Sequence, residues 1–193
     1  MTKRVFLAIN LPDETKKEIS ESLEKFKKKN NTYDIRWIYP ENYHLTLHFF
    51  GNLNVKQINL VEASLSEAVK NIPSFEIKTG DIGYLPNKNN PRIIFIKIID
   101  IPQIHTLVEK IELTLENLHF PIDKKPWRAH LSIARIKNYI KCDDVQEGKI
   151  YFISFRVNSI ELMESHLSPD GSSYTIDLLR INHIWYNFNG ASH

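Results

Sequence analysis

The chain has 193 residues, of which 42% are hydrophobic and 25% charged, and its formal net charge is +2. That length suits one domain, or two tightly joined lobes, with enough apolar material for a sizeable core. A charge so close to zero does not by itself point to nucleic acid. A single cysteine, Cys142, excludes an internal disulfide and a cysteine-rich metal site.

Val5 to Ile9 is a short apolar run that reads as a buried strand. It is too short for a signal h-region and far too short to span a bilayer, so no membrane association is expected. With one cysteine, a reducing compartment and a cytoplasmic location are expected. Pro12-Asp13-Glu14 opens a helix whose apolar face is Ile19, Leu23 and Phe26, closed by Lys27 to Asn30. Ile35 to Ile38 and His44 to Phe50 read as strands, the second ended by Gly51-Asn52. Ile58, Val61, Leu65 and Ala68 mark a second helix, and Phe75, Ile77 and Thr79 a strand up to Gly80. Pro86 to Pro91 is a loop by composition, and Ile93 to Ile99 a central strand. Ile104, Leu107, Val108, Ile111, Leu115 and Leu118 give the cleanest helical face. Pro121 to Pro126 is a loop, followed by a strand from His130 to Ile136. Phe155, Val157, Ile160 and Leu162 predict one late strand with a bulge near Asn158-Ser159. Ser168 to Gly171 is a turn, and Tyr174 to Leu179 the last strand. Strands outnumber helices and several connections are too short for parallel crossovers. The expectation is α+β with largely antiparallel sheets, residues 1–193 forming one domain of two related lobes.

Two strand-like runs carry a histidine and a hydroxyl two residues apart: His44-Leu45-Thr46 and His130-Leu131-Ser132. Residues i and i+2 share a strand face, so each run presents an imidazole beside a hydroxyl. Two such pairs across a cleft supply a general base, a general acid and two donors for a developing oxyanion. Alternation places His48 on the same face as His44. Zinc at His44 and His48 is disfavoured, because i and i+4 on a strand lie about 13 Å apart. No HExxH and no GxSxG occurs. No metal and no other cofactor is expected.

The surrounding text resembles the two-histidine (2H) phosphoesterases, specifically the RNA 2′,3′-cyclic phosphodiesterase group, also called 2′-5′ RNA ligase-like. The matching segments are Arg4 to Ile9, Trp37 to Leu47, Pro91 to Phe95, His130 to Arg135 and Glu161 to Leu167, with Gly171 and Tyr174. The chain departs from the family's usual text at Phe50, where leucine is common, and at Ser132, where threonine is common. The resemblance implies a bilobal fold around a central cleft, with one motif per lobe. It implies metal-free hydrolysis of RNA-terminal 2′,3′-cyclic phosphate to a 2′-phosphomonoester, with His130 as base, His44 as acid, and Arg135 binding substrate. RNA or oligonucleotide ends are the implied partners, and no obligate protein partner is evident. Tyr174, Phe49 and Trp127 are aromatics able to stack a base. Other 2H activities remain open: 2′,5′-oligonucleotide cleavage, reversible 2′-5′ ligation or hydrolysis of a small cyclic nucleotide. So does a non-catalytic RNA-binding module.

Overall fold

The structure is a computed structural model that describes residues 1–31, 34–87, 89–136, 152–168 and 171–181, with side chains described as far as 166. In chain order the elements are β1 (Thr2–Asn10), α1 (Asp13–Ser22), α2 (Glu24–Lys29), β2 (Ile35–Trp37), a 3-10 turn (Pro40–Asn42), β3 (His44–Asn54), α3 (Val55–Val69), β4 (Phe75–Leu85), β5 (Ile93–Ile98), α4 (Pro102–Asn117), β6 (His130–Ile136), β7 (Ser154–Val157), β8 (Ile160–Ser168) and β9 (Gly171–Ile181). The strands form two sheets, ordered β3-β1-β8-β9 and β2-β6-β5-β4-β7, and every pairing is antiparallel. The fold is α+β, with one histidine motif in each sheet.

Helices cover one face of the sheets. Ile58, Val61 and Leu65 of α3 and Ile104, Leu107, Ile111 and Leu115 of α4 are buried together with Leu7, Ile9, Leu45, Ile94, Ile96 and Leu131. A fully buried residue of this kind is worth roughly 1.5–3 kcal/mol of transfer free energy. On the other face of the first sheet, Phe6, Ala8 and Met163 form a separate small cluster. That second face carries the motif side chains.

Several boundaries differ from the sequence reading. The first helix breaks at Leu23 into α1 and α2. β3 does not stop at Gly51-Asn52 but runs on to Asn54, because Gly51 adopts φ 75°, which glycine takes without a Cβ penalty. β4 likewise continues past Gly80 to Leu85. The late strand is two strands, not one with a bulge. β7 pairs with β4 and β8 with β1, so Asn158-Ser159 is where the chain changes sheet and the alternation resets. The turn at Ser168 to Gly171 lies partly outside the described residues.

The segment leading into the second motif is fixed at its start by the end of α4. His119 sits at φ 60°, its N–H donates to the Glu116 carbonyl, and the Phe120 N–H donates to the Leu115 carbonyl. This is a Schellman cap with histidine where glycine is favoured. Phe120 then packs edge-on against Phe50 of β3, ring centroids 5.5 Å apart. Relieving the left-handed strain in His119→Gly should stabilise the fold by about 0.5–1 kcal/mol, read as a higher urea midpoint at an unchanged m-value.

Candidate active site

Each motif strand departs from strict alternation at the same place. In β3 the register against β1 runs Asn10 to His44 and Ala8 to Thr46, then Leu7 to His48, so Leu47 is the extra residue of a bulge. In β6 the register against β5 runs Lys97 to His130 and Phe95 to Ser132, then Ile94 to Ala134, so Ile133 is the extra residue. Each bulge follows directly on the motif hydroxyl. Residues opposite one another across a ladder share a face. After the bulge, the side chain five positions beyond the histidine therefore returns to the histidine's face.

This corrects one expectation and explains another. His48 stands opposite Leu7, on the core face, and not beside His44. Its ring packs on Phe50 at 4.7 Å, and its Nε2 is buried with no hydrogen-bond partner among the described residues. Burial lowers the His48 pKa against the opposing pull of Asp123. Phe49 takes the place expected of His48: it lies opposite Phe6, centroids 5.6 Å apart, and is 63% exposed. In β6 the same slip turns Arg135 outward beside Ile93 and opposite Arg36. Lys97, opposite His130, is also exposed on this face.

The two histidines are held alike. His44 Nδ1–H donates to the Asn42 carbonyl at 2.8 Å, and His130 Nδ1–H donates to the Arg128 carbonyl at 2.8 Å. A carbonyl only accepts, so this bond assigns the proton to Nδ1 and leaves Nε2 to exchange a proton with a reactant. Each ring also leans on a phenylalanine of the adjacent strand. Phe6 meets His44 at 5.0 Å, and Phe95 meets His130 edge-on at 5.5 Å. Phe95 has room because its ladder partner is Gly83. A Cβ there would lie 2.4 Å from the Phe95 ring. Nothing in the sequence pattern singled out Phe6, Phe95 or Gly83, because their part in the site comes from cross-strand register.

The motif strands β3 and β6 approach each other directly. Half-buried Trp127 links them: its Nε1–H donates to the Thr46 carbonyl at 3.0 Å. Among the described residues β3 is the edge strand of its sheet, and the indole supplies this carbonyl with a donor. Trp127 is thus engaged structurally, and the Tyr174 side chain lies outside the described residues. Among the described residues, no three of His, Cys, Asp and Glu cluster as a metal site, and no helix is long and apolar enough to cross a membrane.

Burial pushes His44 down to about 4; its bond to Asn42 opposes this, and the charges of Lys16, His130 and Arg135 lower it further. Both His130 and Arg135 belong to β6, the strand that neighbours β3.

The sequence from residue 9 to 95 matches the family model of LigT-like phosphoesterases. An RNA 2′,3′-cyclic phosphodiesterase of Thermotoga maritima is 30% identical over 178 residues, spanning 90% of this chain and 92% of its own. One from Methanocaldococcus jannaschii is 31% identical over 179 residues, 90% of this chain and 97% of its own. The chain belongs to the LigT-like phosphoesterases of the 2H superfamily. Solved structures agree on the fold. A Thermus thermophilus protein superposes with TM-score 0.78 at 24% identity, covering 94% of this chain and 98% of its own. E. coli LigT complexed with 3′-AMP gives 0.67 at 22% identity, covering 91% and 95%.

The state of His44 has a consequence for stability. Its folded pKa lies below the unfolded histidine value of about 6.5. Between these values the unfolded chain binds a proton that the folded chain refuses, so stability falls as pH drops from 6.5 towards 4. The loss from this group is at most about 3 kcal/mol. In His44→Gln the fall in melting temperature over that window should be visibly shallower than in the parent; parallel curves would show that His44 is not held neutral.

Proposed function

We propose that the chain hydrolyses 2′,3′-cyclic phosphate at RNA or oligonucleotide ends to a 2′-phosphomonoester, without a metal, with His44, Thr46, His130 and Ser132 as the catalytic set. The observation that carries this reading is the duplicated geometry. Two neighbouring strands each carry an imidazole with the same Nδ1-to-carbonyl bond and a hydroxyl two residues on, which supports their meeting at one cleft. In the reaction, one neutral imidazole takes a proton from water as the water oxygen bonds to phosphorus. The other, as imidazolium, gives its proton to the 3′-oxygen as the P–O3′ bond breaks. The Thr46 and Ser132 hydroxyls donate to the non-bridging oxygens as charge grows on them. Arg135 meets the phosphate or the terminal nucleotide, and Phe49 offers an exposed ring for a base. The relatives' names, each an RNA 2′,3′-cyclic phosphodiesterase, support the substrate. The enzyme needs no protein partner in this scheme, and a reducing, cytoplasmic setting accords with its lone cysteine.

Turnover of an oligonucleotide ending in 2′,3′-cyclic phosphate should survive EDTA. It should drop at least ~100-fold in His44→Ala and in His130→Ala, each folded normally. The double variant should lose less than the product of the singles, because both groups act in one step. A His130→Ala protein with the parent rate would overturn the two-histidine scheme, and binding without turnover by the parent would leave an RNA-binding module.

A second reading concerns polarity alone. The resemblance makes His130 the base and His44 the acid. Yet burial and the charges of Lys16 and Arg135 hold His44 neutral in the free enzyme, which suits a base. An acid role for His44 needs the anionic substrate to bring its proton. An activated aryl phosphodiester separates the roles, since nitrophenolate leaves without a proton. With that substrate, loss of the acid is nearly silent and loss of the base is not. The free-enzyme electrostatics predict that His130→Ala retains aryl-ester activity and His44→Ala does not; the reverse pattern restores the polarity of the resemblance.

A further inference from the structure

We propose that Lys16 is a positioning residue for His44, clamping the turn whose carbonyl orients the imidazole and adding a fixed positive charge behind it. This rests on the acid–base role of His44 proposed above and deepens it. Lys16 lies in α1, outside both motifs, and is 6% exposed, an unusual place for an ammonium. Its Nζ donates to the Glu41 carbonyl at 3.2 Å. The nearest carboxylate oxygen is that of Asp13, 3.6 Å away on a fully exposed side chain, which screens the charge only weakly.

Glu41 is the middle residue of the Pro40–Asn42 turn. The next carbonyl along, that of Asn42, accepts from His44 Nδ1. A chain of two hydrogen bonds therefore runs from α1 through the turn to the imidazole. The turn's own backbone bonds are short-range, from Asn42 N–H to the Tyr39 carbonyl and from Tyr43 N–H to the Pro40 carbonyl, and the Lys16 bond ties it to α1. A methionine of the same length would fill the space without the cost of desolvating a charge. The charge is instead directed at the segment that fixes the tautomer of His44.

Lys16 approaches His44 from α1, His130 and Arg135 from β6, the Asn42 carbonyl from the turn, and the uncharged Phe6 ring from β1. Lys16 and Arg135 are cationic and His130 can become so, and of these Lys16 is the one bonded to the turn, at the Glu41 carbonyl. The second motif has the Arg128 carbonyl in the place of Asn42. Among the described residues, no lysine nitrogen is bonded to the segment around Arg128.

The test uses Lys16→Met and Lys16→Gln in the full chain. Misplacing a reacting group by about 1 Å can cost about 100-fold. In Lys16→Met, kcat on the cyclic-phosphate oligonucleotide should fall about 10- to 100-fold with KM little changed. The His44 imidazole, followed by NMR, should titrate at higher pH than in the parent. Lys16→Gln keeps an amide donor and no charge; it should regain part of kcat while His44 still titrates high, and it serves if the methionine variant does not fold. A folded variant with parental kcat and parental His44 titration overturns the proposal. So does a loss of kcat with the His44 titration and its Nδ1–H resonance both unmoved, which would mark Lys16 as merely structural. If the parent cleaves no cyclic phosphate, the functional reading fails, and the NMR titration still decides the link from Lys16 to His44.

Discussion

A β-strand that buries alternate side chains cannot also present an unbroken run of chemical groups on its other face. Both motif strands meet this limit, and both escape it by a residue inserted directly after the motif hydroxyl, β3 slipping a second time at Phe50. The inserted residues, Leu47 and Ile133, turn into the core beside half-buried His48 and buried Ala134. The slip brings the residue five positions after each histidine onto the cleft face. In the first sheet that residue is Phe49, an aromatic surface; in the second it is Arg135, a cation. The two lobes thus share a pattern of imidazole, hydroxyl, bulge and outward side chain, and differ in the chemistry of its last member.

A second asymmetry lies in the environment of the rings. Local bonding makes the histidines equivalents, each with Nδ1–H tied to the carbonyl two residues upstream. What distinguishes them is further away. His44 is backed by α1, the Pro40–Asn42 turn and the buried Lys16, whereas His130 lies opposite exposed Lys97, on the edge of Phe95. Acid–base catalysis by a pair requires the two members to prefer different protonation states. In the proposed scheme Lys16 of α1, bonded to the turn before His44, supplies such a difference.

Much of this was legible in the sequence where side-chain period governs. The helical face from Ile104 to Leu115 and the strand from Ile93 to Ile98 follow their apolar patterns closely, because each buries one continuous side against the core. The pairing of His44 with Thr46 and of His130 with Ser132 also follows from alternation. Register and sheet exchange were not legible. The apolar text from Phe155 to Leu162 has the same period whether it is one bulged strand or two strands in two sheets. His48 was misplaced for the same reason: a bulge is decided by cross-strand partners, and a strand read alone assigns every residue by parity. Lys16 escaped notice because a lysine on a helix start has an ordinary solvated reading until the packing of α1 on the turn is known.

The edge of the first sheet shows how closely the two motifs depend on each other. β3 carries the first motif yet, among the described residues, has β1 on one side only, so its outer carbonyls find no strand partner there. An unpaired polar edge is costly when covered and sticky when bare. Trp127 resolves this at Thr46, and Trp127 lies three residues before His130. The indole that completes the first motif's backbone is thereby anchored in the segment that delivers the second. Its position is constrained from both ends, by the Schellman cap and the Phe120 contact with Phe50 upstream and by the β6 ladder downstream. A shift of β6 along its ladder would move Trp127 away from Thr46 as well as His130 away from His44. The two motif segments are therefore joined by a direct hydrogen bond, from the Trp127 indole to the Thr46 carbonyl, as well as by the packing of the two sheets on a common core.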